Sequence, residues 1–336
     1  MFAINKVMKI IDYIGRFTPD LTRSPGKGLC RFGILFGGLS FMVILVFAQS
    51  ELRPEPVVEG SASASHVDQL VEDIISEIVV LRKAMDVQST PREPGVQVRK
   101  VPLHVHAKMI EVLEKLTRLQ RRLKMPVAQV PQIPIKQIES EDVAQLARVV
   151  LVQLRLVKSK LNLTESIKET SFVDGMTASD IYEKTWRASY LLDALVGETD
   201  PNYVFRNVLY VRSELEQIAE KLAVSLSSTV PASRKGKLPK DVNLEGFKNQ
   251  HKLVKVERKL SMVAFSVPDF PAGNITPSDV FDTSNMLLAE LVRIKVHLKI
   301  STPRDDFAVP SGKKPPDVLA QMQLVGFNLN ALLGAL

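Results

Sequence analysis

Five histidines, one cysteine and a series of evenly spaced aspartates are the residues of this 336-residue chain whose types could carry chemistry. His104 and His106 stand two apart at the expected start of a helix. That spacing places them on different helical faces and not on one metal ion, so the sequence predicts solvated first-turn residues. His66, His251 and His297 are isolated. Asp142, Asp180, Asp241, Asp279 and Asp317 would make a ladder of metal or acid–base carboxylates if they converged. Each instead sits where a helix begins, as in Thr276-Pro277-Ser278-Asp279, which has the order of a capped start: Thr at the cap, Pro at the first helical position and Asp three after the cap. The sequence holds no Gly-rich phosphate loop, nucleophile elbow or haem-attachment cysteine pair. A histidine with Met109 or Met286 would suit a non-covalent haem, but both methionines fall on or near an apolar seam, where packing is their usual role. The expectation is no catalytic residue, no metal and no cofactor.

Aromatic side chains are the remaining candidates, for partner binding. Trp186 lies four residues from both Tyr182 and Tyr190, so the three share a helical face. Phe265, Phe270 and Phe307, with Phe172, fall in connections between helices. Specificity on a repeated scaffold commonly resides in such connections; the bland alternative is that these rings fill grooves.

The elements that would position these groups recur. Asp-Val or a close variant returns at intervals of 38 residues, giving unit starts at 66, 104, 142, 180, 203, 241, 279 and 317. The starts form two sets of four, the second shifted by 137 residues; Tyr190–Gly197 falls on Phe327–Gly334. One residue after each start stands Val67, Val105, Val143, Ile181, Val204, Val242, Val280 or Val318. Positions 12 and 15 are equally uniform, from Ile78 to Leu329 and from Leu81 to Leu332. One such all-apolar column arises by chance about twice in a thousand at this composition, so three mark a true repeat. The spacing 1, 8, 12, 15, 19 is that of a helix seam in a bundle, and alternation by two is absent. The fold expected is all-α: a duplicated unit of four amphipathic helices, as two tandem four-helix bundles or an eight-helix repeat, over residues 65–199 and 200–336. Gly197 and Gly334 are read as the glycine stops of the two blocks. Long connections within a block permit parallel as well as up-and-down neighbours. The short Gly197–Pro201 link makes the helices on either side antiparallel neighbours.

An N-terminal hydrophobic segment precedes the repeat. Phe32–Ala48 is uncharged, with a basic leader (1–31) before it and a flexible linker (49–64) after it. Basic flanks stay in the cytoplasm, so the remainder is expected outside it, on the periplasmic side, anchored in the inner membrane through 32–48 or released after cleavage near Ala48. A mitochondrial presequence fits less well, because Asp12 and Asp20 interrupt it. The net charge of +7 is concentrated here: residues 1–50 carry +4, leaving +3 for the rest with no long basic run, which argues against a nucleic-acid partner. Cys30 lies in the leader, so the exported part has no disulfide to rely on. The functional expectation is a non-enzymatic extracytoplasmic interaction or scaffold protein with an envelope protein or polymer partner. The alternative is a small-molecule or cofactor-binding sensor domain with its ligand between helices.

Overall fold

A computed structural model describes residues 62–336 apart from 91, 169 and 198; the leader, the apolar segment 32–48 and most of the linker lie outside the described residues. Among the described residues the chain is all-α, with eight helices and no strand. They are α1 (Ala64–Ala84), α2 (Pro102–Arg122), α3 (Ser140–Lys160), α4 (Ala178–Val196), α5 (Pro201–Lys221), α6 (Pro239–Lys259), α7 (Pro277–His297) and α8 (Pro315–Ala335). The three uniform columns explain why: every residue from Val67 to Val318, Ile78 to Leu329 and Leu81 to Leu332 in those columns is buried in one apolar cluster. Burying such a side chain contributes about 1.5–3 kcal/mol, so each helix is held chiefly by its seam.

The helix starts are built alike. Thr177 and Thr276 accept the N–H of Asp180 and Asp279, whose carboxylates take the threonine N–H at 2.9 and 2.8 Å. Asp142, Asp241 and Asp317 reach back to the cap N–H in the same way. His66 and His104 do it with Nδ1, accepting from Ser63 and Val101. Only α5 departs, with Asp200 accepting from Asn202. The ends are equally uniform. The N–H groups of Val87, Met125, Leu163, Val224, Met262 and Ile300 each bond to a carbonyl five residues back. This closure places Asp86, Lys124, Asn162, Ala223, Ser261 and Lys299 at positive φ, a conformation that glycine would adopt more easily. Gly197 closes α4 at φ 84°. Gly334, expected to close the last helix, lies inside α8, which runs on to Ala335.

The helices of each quartet run parallel. Pro201, Pro239, Pro277 and Pro315, with Val204, Val242, Val280 and Val318, line one apolar hollow where α5–α8 all begin. In the first quartet, Ala62 N–H bonds Glu141, Lys100 N–H bonds Ser179 and Met176 N–H bonds Ser65, so the starts of α1–α4 also share an end. Around the first ring the order is α1, α3, α2, α4; around the second it is α5, α7, α6, α8. Parallel order forces each connection to run back along the bundle, and buried Ile133, Ile138, Phe265 and Ile275 show these segments lying in grooves. The paired contacts are compatible with a repeated bundle. A buried ion pair also recurs 137 residues on: Lys158 with Glu77, and Lys295 with Glu214, each lysine capping a carbonyl beyond its own helix as well.

The two quartets oppose each other in direction. Tyr190 meets Asp279 and Trp186 meets Asp282, a sequence rising on α4 and falling on α7 reversed. The link at 197–200 therefore does reverse the chain, but α4 and α5 are not packed neighbours; the contact between quartets is carried chiefly by α2 and α7. Helix α8 is long and apolar enough to cross a membrane by length and composition, yet its core face is buried against α5 and α6, as a bundle helix requires.

Candidate functional site

Where α7 lies against α2 and α4, the buried surface is charged. Helix α2 carries Lys108, Glu111 and Lys115 at three-four spacing, all fully buried. Lys108 Nζ donates to Glu111 at 2.8 Å and to Asp282 of α7 at 2.7 Å. Lys115 Nζ donates to Ser189 Oγ at 2.7 Å and pairs with Asp193 at 2.7 Å. Ser189 and Asn285 donate to the two oxygens of Glu111, and Trp186 Nε1 donates to Asp282 at 2.7 Å. The Lys108 charge lies 5.4 Å from the centre of the Trp186 ring.

The two acids of this cluster diverge. Burial opposes ionisation of Glu111, but Lys108 and Lys115 overcome it and hold Glu111 well below the ordinary carboxylate range. Burial, reinforced by the charge of Glu111, pushes Asp282 up to about 8 despite the lysines. Lys108 stays charged: Asp282 and Glu111 more than offset its burial. The two lysines thus face Glu111, Asp282 and Asp193, so each buried ion has a counter-charge within hydrogen-bond reach, the condition for burying so many ions.

One turn away lies a second group. His104 accepts the Val101 N–H at Nδ1, which leaves its Nε2 to donate to Glu290 of α7. Arg293 bonds Glu290 at 2.6 Å and Glu257 of α6 at 2.5 Å. Burial and then the charge of Glu290 raise Glu257 to about 9, whereas His104 and Arg293 outweigh burial and bring Glu290 to about 2. The pair thus shares one proton and one negative charge. The expectation of solvated first-turn histidines is corrected here: His104 is buried in this group, and His106 is buried too, its imidazole pushed down to about 4 by desolvation. The first turn of α2 is covered, so neither ring meets water.

Beside these groups, a cleft of about 400 Å³ opens between the quartets. Tyr203, Arg206, Tyr210 and Arg304 form one wall, and Glu114, Arg121 and segment 128–133 the other. Arg206 pairs with Glu114, Arg118 and Arg206 lie over the Tyr203 ring, and Arg304 lies 4.0 Å from the Tyr210 ring centre. The Nε–H groups of Arg118, Arg206 and Arg304 are buried without an acceptor. Such donors suit carboxylate or phosphate oxygens.

The four candidate aromatics are dispersed. Trp186 joins the polar cluster, and its ring stands 6.0 Å from Tyr182 and 5.6 Å from Tyr190. Phe307 packs behind the cleft on Tyr210, at 5.7 Å. Phe265 is buried in the core, and half-exposed Phe270 meets Phe247 edge-on at 5.0 Å. Sequence reasoning missed Lys108, Glu111, Lys115 and Asp282. The signal was present as a charged stripe, 104-108-111-115, on the same helix as a complete apolar seam. Compared with known proteins, the chain matches no family model, no curated protein and no solved structure.

Proposed function

We propose that the chain is a non-enzymatic, extracytoplasmic interaction or scaffold protein, built as a duplicated four-helix unit (65–199 and 200–336) and held at the inner membrane by, or exported past, residues 32–48. The observation that carries this reading is the state of the buried ions: Lys108, Lys115, Glu111, Asp282, Glu290 and Arg293 are each committed to partners within the protein. Lys108, Glu111, Asp282 and Glu290 bond from one quartet to the other, and Lys115 and Arg293 bond within their own, a structural use of the charges. The recurring ring order and the recurring lysine–glutamate pair support the duplication. Pull-down with residues 50–336 from envelope extract is expected to recover a protein or polymer partner. Turnover of a small substrate with no partner recovered overturns the reading.

A second reading, a sensor for a small anionic ligand, is favoured by the acceptor-free guanidinium Nε–H groups of Arg206 and Arg304, both of which line the cleft. Its check is mass spectrometry of the protein purified under native conditions, with an absorption spectrum. A colourless protein without a bound anion, and no thermal shift with polycarboxylates or phosphates, removes it.

A further inference from the structure

The contact between quartets is one-sided. A ridge of α7 meets α2 and α4: Asp282 bonds Lys108 and Trp186, Asn285 bonds Glu111 and Met286 meets Lys100. Ala289 and Arg293 continue the same face at helical spacing, Arg293 turning to Glu290 and Glu257 of its own quartet. Counting back 137 residues, the same ridge on α3 is Gln145, Arg148, Val149, Val152 and Leu156. Counting forward, the groove between α2 and α4 becomes the groove between α6 and α8. A two-fold contact would bury the α3 ridge in that second groove, but the contact that matches α2 with α7 is not repeated between α6 and α3. Both counterparts are left over.

Their exposure shows it. Met286 and Ala289 are buried, whereas Val149, Val152 and Leu156 are 44%, 51% and 50% exposed, an i, i+3, i+7 row on the outside of α3. Ala107 and Tyr190 are buried, whereas their counterparts Leu244 and Phe327 are 47% and 58% exposed. Among the described residues the α6–α8 groove is lined by the second quartet alone, by Leu244, Glu245, Lys248 and Leu319 with the connection between α5 and α6.

We propose that the occupant of this groove is the α3 ridge of a second copy of the chain, so that the contact inside one molecule is repeated between molecules. The proposal rests on the scaffold reading and names its partner. A contact joining two different faces leaves one of each free at every step, so it propagates into a filament or closes into a ring. The ionic part is not copied: Glu245 and Gln145 stand where Lys108 and Asp282 do, and Lys248 and Arg148 where Glu111 and Asn285 do, so two cations come together there beside Glu245. The copied part is the apolar one, with Val149, Val152 and Leu156 on one face and Leu244 on the other; Phe327, in the place of Tyr190, falls toward Asp142 at the start of α3. Burial of isolated apolar rows without buried ion pairs gives a reversible association, dependent on concentration.

The test uses the full chain in a mild detergent, with analytical ultracentrifugation across a hundredfold range of concentration. The wild-type chain is expected to form species that grow with concentration. Val152→Glu and Leu244→Glu, both at exposed positions, are expected to be monomeric with unchanged helical melting. Mixed in equal amounts, they are expected to give a dimer and nothing larger, since each variant retains the face that the other lacks. A wild-type chain that stays monomeric throughout overturns self-association but leaves the scaffold reading to its pull-down. Assembly that survives either substitution, or a mixture that gives no dimer, overturns the assignment of these two faces.

Discussion

Replacing Glu257 by glutamine should stabilise the protein. Glu257 is buried and raised to about 9 from 4.5, so at pH 7 the folded chain holds a proton that the unfolded chain has lost. At ~1.4 kcal/mol per unit, retaining that proton at pH 7 costs about 3 kcal/mol. The first quartet shows what the site looks like without this cost. The residues 137 earlier are Gln120 and Gln153, where the Gln120 amide donates to Gln153 at 2.7 Å and accepts the Ala128 N–H. Glutamine at 257 would donate to Glu290 and accept the Phe265 N–H, which Glu257 now holds at 3.1 Å. Arg293 would lose one acceptor and keep Glu290 and the Val263 carbonyl, a loss of about 1 kcal/mol. The net gain is about 2 kcal/mol at pH 7, a rise in melting temperature of roughly 5 °C. The sign with pH follows from the raised value. Stability from Glu257 is complete below pH 4.5 and is lost as pH rises through about 9, so Glu257→Gln should flatten that decline. Asp282, raised to about 8, keeps a decline of the same direction in both proteins. Urea unfolding at pH 5, 7 and 9 reads both effects. A variant less stable than wild type at pH 7, or one with an undiminished pH slope, refutes the shared-proton account.

Lys295→Met leaves Glu214 buried without its cation and should cost about 3–5 kcal/mol, read as a fall in urea midpoint that the added Glu214→Leu largely restores. Ala223→Gly relieves a left-handed residue at φ 54° and should raise stability by about 1 kcal/mol by thermal or urea unfolding. Phe265→Ala should lower stability by about 3–5 kcal/mol, as for a buried ring. Phe270→Ala, at a half-exposed position, should lower it by under about 2 kcal/mol. A partner recovered by wild type and lost by Phe270→Ala with unchanged melting would assign binding to that connection.

The helices were legible because burial and sequence use the same code: a residue such as Leu154 or Val280 is apolar because its side of the helix never meets water. The starts were legible for a similar reason, since a cap needs particular atoms at a fixed offset. Helix direction was not, because connections of the observed length satisfy either order; grooves that accept Ile133 and Phe265 decide it in three dimensions only. The polar site was hidden by the ambiguity of charge. Lysines on an amphipathic helix are ordinarily solvated, and nothing near Lys108 in sequence announces Asp282, which lies far along the chain. The difference between Gln120 and Glu257 was visible in the aligned repeats. Its consequence appears only once His104 and Arg293 are found beside the acids.

Parallel order also has an electrostatic consequence. Each helix carries about half a positive charge at its start and half a negative charge at its end, so four parallel helices add to roughly two charges of each sign at opposite poles of a quartet. The sequence answers both poles. Asp142, Asp180, Asp241, Asp279 and Asp317 sit in first turns, and Arg82, Arg121, Arg122, Lys158, Lys221, Arg258 and Lys295 sit in last turns. Since the quartets point in opposite directions, the acidic crown of each lies toward the same side as the cationic crown of the other. Arg92, from the connection after α1, already bridges to Asp279 in the first turn of α7 at 2.7 Å. Two stacks of aligned peptide dipoles are thereby set antiparallel, with unlike poles toward the same side, and each quartet's field is partly closed by its neighbour.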